Sequence, residues 1–125
     1  MDVTPLVKPG RQIVQSYSSS RFKISGNVYE TPVLVFLNDT IAWHVQNPAD
    51  SLNEDDFAQL IPFQKDIDVV LLGCGEHMEF VPPALRQNLK DKGLSVEPMD
   101  TGAACRTFNV LMAEDRRVCA ALFPL

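Results

Sequence analysis

The amino-acid sequence predicts a single α/β domain over residues 1–125, a central mixed β-sheet flanked by helices, with an antiparallel β-hairpin region ahead of it. Three observations point there. The N-terminal half alternates apolar and polar residues with a period of two, the mark of half-buried antiparallel strands. The run "DIDVVLLG" is almost continuously apolar, as a strand covered on both faces must be. A helix-patterned segment separates that run from "LSVEPM", and strand, helix, strand within about thirty residues is a βαβ unit, which implies a parallel pair.

Each element follows from its own pattern. "RQIVQSYS" sets Ile13, Gln15 and Tyr17 opposite Val14 and Ser16, and "RFKISGNVY" places Phe22 and Ile24 on one face. "PVLVFL" and "TIAWHV" read as two strands joined through Asn38-Asp39, residue types that tolerate the positive φ of a tight turn. After the loop "QNPAD", Ser51 and Glu54 have capping-box spacing, Phe57, Leu60 and Ile61 recur at helical spacing, and Pro62 is expected to help stop the helix. "PPALRQNLKDKG" carries the punctuation of a helix, with Pro at its opening, basic residues late and Gly93 beyond its end. Ala104, Phe108, Leu111 and Met112 form an apolar stripe at i, i+4, i+7 and i+8, so a second helix follows "LSVEPM". "RRVCAALFPL" closes the chain as a strand with Val118, Ala120 and Leu122 on one face.

Composition excludes several classes. Apolar residues at 46% and charged residues at 22% lie in the globular range and away from disorder. A net charge of −5 leaves no basic excess to release phosphate counterions, so nucleic acid is not an expected partner. The longest apolar run, Val69–Leu72, suits a strand and is far short of a bilayer span, so no membrane insertion is expected. The opening "MDVTPLVKPGRQ" has neither a secretory signal pattern nor the Arg-rich composition of a mitochondrial presequence, which points to a cytoplasmic protein. Three cysteines without a secretory signal argue for reduced thiols.

The stretch "PMDTGAACRTFN" contains the Asp-Thr-Gly of retroviral-type aspartic proteases. Here the motif opens a helix, not a strand, and no glycine-rich hairpin elsewhere could serve as a flap. Asp100 or Thr101 therefore reads as an N-cap, and no catalytic residue is assigned. Two loops then look alike. One holds Gly73, Cys74, Gly75 and Glu76. The other holds Asp100, Thr101 and Gly102 and leads to Arg106 and Asn109 on one helix face. If their strands are parallel neighbours, both loops lie at the carboxyl edge of the sheet, where open α/β sheets bind ligands. Arg106 opposes the helix dipole, which calls for a nearby anion: a bound carboxylate or phosphate, or a salt bridge to Asp100 or Glu76. These nine residues are the candidate ligand-binding set. Cys74, His77 and Cys105 match no strong zinc pattern, so neither a metal nor a cofactor is expected. Cys74 with His77 lacks a third group to orient a nucleophile pair.

The second half, from "LLGCGEHMEFVPPAL" through "MDTGAACRTFN" to "VCAALF", resembles a family of uncharacterised bacterial and archaeal proteins that includes a mitochondrial assembly factor for respiratory complex I, the NADH:ubiquinone oxidoreductase. The shared features are a strand ending in Leu-Leu-Gly-x-Gly, a Pro-Pro-x-Leu helix and "MDTGAACRTFN" running on to a final strand. They cover Asp66 to Leu122, with a looser match around Ser25–Tyr29. The resemblance implies one α/β domain and a role in scaffolding or chaperoning subunits of a complex, and carries over no catalytic residue. Lacking a presequence, the chain looks like a bacterial cytoplasmic member. Two functional expectations follow. The first is a non-catalytic interaction protein with protein partners, presenting an exposed apolar patch. The second is a protein, or an enzyme, that binds a small anion or nucleotide-like ligand with the two loops.

Overall fold

The computed structural model describes residues 7–125; the expectation about the start of the chain falls partly on residues 1–6, outside the described residues. Strands β1 (Val14–Tyr17), β2 (Phe22–Ile24) and β3 (Asn27–Tyr29) form a three-stranded antiparallel sheet of their own, in that order. The alternating segment "RFKISGNVY" is two strands folded back at Ser25 and Gly26, with Phe22 and Ile24 buried on one face as expected. Both residues take positive φ, 46° and 86°, the backbone of a two-residue hairpin turn matched to strand twist. Glycine tolerates that region and serine does so here at some cost.

Strands β4 (Val33–Val35) and β5 (Thr40–Ala42) pair antiparallel across residues 36–39. The positive φ expected at Asn38 or Asp39 does not occur. The loop is long enough to turn without it: the Phe36 N–H donates to the Asp39 carbonyl at 2.7 Å, and Asp39 Oδ1 accepts from the Thr40 N–H at 2.9 Å. Next comes a 3-10 helical segment, Glu54–Asp66. Its capping box is formed by Asn53 and Asp56 in place of the expected Ser51 and Glu54. Asp56 prevails because its carboxylate is buried and accepts from Gln46 N–H, Asn47 Nδ2 and Asn53 N–H at 2.9, 2.9 and 3.0 Å. Pro62 does not end the segment, since its fixed φ near −65° already lies in the 3-10 range.

The remaining elements alternate as expected: β6 (Val69–Gly73), α1 (Pro83–Asp91), β7 (Val96–Met99), α2 (Thr101–Ala113) and β8 (Val118–Leu122). The main sheet has the order β5-β4-β8-β6-β7. β6 runs parallel to both β7 and β8, and β4 runs antiparallel to β8, so the sheet is mixed. Gly93, just past α1, takes φ 87°, as a helix stop requires.

The sheet separates two apolar layers. On one side Val70, Leu72, Cys119 and Ala121 meet Phe57 and Leu60 of the 3-10 segment and Leu89 of α1. On the other, Leu71, Val118, Ala120 and Leu122 meet Ala104, Phe108 and Met112 of α2 together with Val14, Phe22 and Ile24 of the small sheet. The two faces of β8 thus serve different layers, and all five of its residues are buried. Pro98 sits in edge strand β7. Ser95 and Met99 turn their carbonyls toward β6, so Pro98 occupies an outward position where its missing N–H deprives a further strand of a donor.

Candidate functional site

The parallel pairing of β6 with β7 brings the two glycine-containing loops together at one sheet edge, with Gly73 opposite Met99. Thr101 ties them. It is fully buried; its Oγ1 accepts from the Gly75 N–H at 2.8 Å and donates to the Phe123 carbonyl at 2.6 Å. Its own N–H donates to the Gly75 carbonyl at 2.8 Å, while the Cys74 N–H donates to the Met99 carbonyl and the Phe123 N–H to the Gly73 carbonyl, each at 2.9 Å. One hydroxyl therefore joins the loop after β6, the start of α2 and the segment after β8.

The glycines fit this closeness. A Cβ on Gly73 would lie 2.8 Å from Leu122 Cδ2 and 3.1 Å from the Thr101 Cα. Gly75 has φ 96°, a backbone that side chains rarely adopt. A Cβ on Gly102 would lie 2.8 Å from the Tyr17 hydroxyl. The first turn of α2 is also largely satisfied. Asp100 is its N-cap, with Oδ1 accepting from Ala103 N–H at 2.8 Å and its carbonyl from Ala104 N–H at 3.0 Å. The Thr101 N–H is bonded to Gly75, so the donors at Thr101, Ala103 and Ala104 are already engaged within the chain.

Arg106 makes neither of the expected salt bridges: it forms no ion pair with Asp100 or Glu76, and its Nη1 donates to the Tyr17 hydroxyl at 3.0 Å. Asn109 clips β1. Its Oδ1 accepts from the Val14 N–H and its Nδ2 donates to the Val14 carbonyl, both at 2.9 Å, beside the irregular register between Val14 and Ser16. The side-chain amide thus takes the place of a neighbouring strand. Asn109→Ala should lower the unfolding free energy by about 1–3 kcal/mol, because both backbone groups of Val14 lose their partner. Urea denaturation checks this, and a loss below about 0.5 kcal/mol would mean that water replaces the amide without cost.

The thiols are poor candidates for chemistry. Burial pushes the Cys74 thiol up against weaker opposing hydrogen bonds from the backbone at Glu79 and Met99. Burial pushes Cys105 up to about 12, against the nearby Arg106 charge, and also raises Cys119. All three stay protonated near neutrality, and a thiol is a weak nucleophile and ligand. His77 and Glu76 are exposed, and no group of three or more potential metal-ligating side chains gathers among the described residues.

Sequence reasoning missed the feature that stands out beyond this edge. The loop after Gly75 carries Met78 and Phe80 into solvent, 61% and 72% exposed, before the chain turns into α1 at Pro82-Pro83. Two bulky apolar residues among Glu76, His77 and Glu79, outside any helical or strand period, were the available signal.

The family described as "Protein of unknown function (DUF498/DUF598)" matches residues 14–123. The chain is 34% identical over 116 residues to the mouse (Mus musculus) protein named NADH dehydrogenase (ubiquinone) 1 alpha subcomplex assembly factor 3; the match covers 93% of this chain and 62% of that one. It is 32% identical to an uncharacterised protein of Rhodobacter capsulatus, over 90% of this chain and 84% of that one. Among solved structures, one titled an outer membrane protein from Bartonella henselae superposes with a TM-score of 0.81 at 31% identity, covering 93% of this chain and 97% of that one. The chain spans less than two thirds of the length of the mouse relative.

Proposed function

The chain belongs to the DUF498/DUF598 family of proteins of unknown function, and on that premise we propose that it is a non-catalytic interaction protein that assists assembly of a respiratory or membrane complex. The observation that carries this reading is the loop bearing Met78 and Phe80. Met78 and Phe80 are the most exposed of the large apolar side chains among the described residues, and a partner that covered them would take that surface out of water. Three further facts support it. The assembly-factor name is borne by the mouse relative. Thr101, Asn109 and the glycines are occupied in holding elements together. The buried thiols stay protonated. No helix among the described residues is long and apolar enough to cross a membrane.

The test is a double substitution, Met78→Ser with Phe80→Ser. Both residues are exposed, so stability should change by less than about 0.5 kcal/mol. Capture of respiratory or membrane-complex subunits from the protein's own host should fall by about tenfold or more, the loss expected of a hot-spot aromatic. Unchanged capture by the folded double variant would refute the loop as the contact.

A second reading, a small anion at the opening of α2, rests on Arg106, whose guanidinium has no acidic partner among the described residues. On this reading phosphate raises the melting temperature of the wild type, and Arg106→Ala removes the rise while leaving the fold intact. No rise with millimolar phosphate ends it.

A further inference from the structure

At the opposite end of the main sheet lies a groove of about 400 Å³ between the turn at residues 36–39, the end of the 3-10 segment and the start of β8. Its volume falls within the range of small-molecule sites. Phe36, Ile41, Phe63 and Ile67 supply apolar walls, and Asp39 and Asp66 supply the acidic groups of its lining. The rings of Phe36 and Phe63 stand 5.1 Å apart at 54°, and Phe63 is left 43% exposed. Arg117 also lines the groove, but its charge is engaged: it donates to Asp68 at 2.7 and 3.3 Å and to the Lys65 carbonyl at 3.3 Å. Neither Asp39 nor Asp66 forms an ion pair among the described residues, although the Asp66 charge acts on Arg117 from further off; Asp39 has no such neighbour in the lining.

We propose that this groove is a binding site for a small organic cation, an ammonium group carried on a hydrocarbon body. Two chemistries meet there. Aromatic faces attract an ammonium ion through their quadrupole, and a pair of carboxylates adds attraction of the same sign. An anion would face both carboxylates in a chain whose net charge is already −5. A neutral apolar molecule would fill the walls but gain nothing from the two exposed carboxylates at the rim. The ammonium compound alone satisfies walls and rim together. This inference is independent of the Met78–Phe80 loop, which lies beyond the other end of the parallel strands.

The test compares hexylamine, hexanoate and hexanol, three bodies of similar size with positive, negative and no charge. Each is titrated into isotopically labelled protein while amide resonances are followed by NMR. Hexylamine should shift the amides of Phe36, Ile41, Ile67 and Val118, with about tenfold tighter binding than hexanoate and a clear preference over hexanol. The double variant Asp39→Asn with Asp66→Asn should reduce that preference to near parity. Both side chains are exposed, and Asp39→Asn retains a side-chain oxygen that accepts from the Thr40 N–H. Phe63→Ala should weaken the amine and the alcohol alike. Equal binding of the three compounds, no shifts at the groove, or a charge preference unaffected by the double variant would each overturn the assignment.

Discussion

Thr101→Val is expected to destabilise the protein by about 2–4 kcal/mol, although valine has almost the same shape and the position is fully buried. The loss comes from the two groups that the hydroxyl serves. Without Oγ1, the buried Gly75 N–H has no acceptor, and the part-buried Phe123 carbonyl loses its donor. A buried group left unsatisfied costs about 1–3 kcal/mol. Thr101→Ser keeps both bonds and removes one methyl, so it should cost only about 1 kcal/mol. Urea denaturation curves of the three proteins check the ordering. Valine as well tolerated as serine would show that the hydroxyl is not what closes the edge.

Asp56→Asn is expected to cost about 2–4 kcal/mol at neutral pH, again with hardly any change of shape. The carboxylate offers two acceptor oxygens to Gln46 N–H, Asn47 Nδ2 and Asn53 N–H. An asparagine offers one oxygen and an NH2 group, which would face donors. Burial would raise the pKa of Asp56, but these hydrogen bonds outweigh it and hold the group below the ordinary aspartate value. A carboxylate with a depressed folded pKa contributes stability that is present above its unfolded pKa, about 3.9, and lost as pH falls through the folded value. The advantage of the wild type over the variant should therefore begin to shrink below about pH 4 and go on shrinking as pH falls. Melting temperatures of both proteins near neutral pH and near pH 3 measure this. A gap that stays constant would mean that the ionised carboxylate is not responsible.

The parts of the fold that were legible in the sequence share one property: local chemistry and long-range packing ask for the same thing. "DIDVVLLG" had to be covered on both faces, and β6 separates the two apolar layers. Asp100 had to cap a helix, because the stripe through Phe108 and Met112 follows it, and it does. A misreading arose where two local signals competed. Ser51/Glu54 and Asn53/Asp56 both have capping-box spacing, and only burial of the Asp56 carboxylate decides between them. In "RFKISGNVY" the period-two alternation placed Phe22 and Ile24 on their buried face, and the turn at Ser25-Gly26 divides the segment into two strands.

At the candidate site, the meeting of the two loops was legible, because it follows from a parallel pair. The partners of their side chains were not. That Asn109 clips Val14, ninety-five positions away, and that Arg106 meets Tyr17 depend on how the small sheet lies across α2, which no local pattern encodes. The exposure of Phe80 was hidden for the same reason: an apolar residue declares itself as a contact surface only when the core has formed without it.

The most direct measurement places a photo-reactive phenylalanine analogue at position 80 and, in a separate protein, at position 106, and irradiates living host cells. The proposed function predicts that the analogue at position 80 crosslinks to a subunit of a respiratory or membrane complex, and that the one at position 106 does not. A protein crosslink at position 106 with none at position 80 would contradict it, and would move the working surface to the opening of α2.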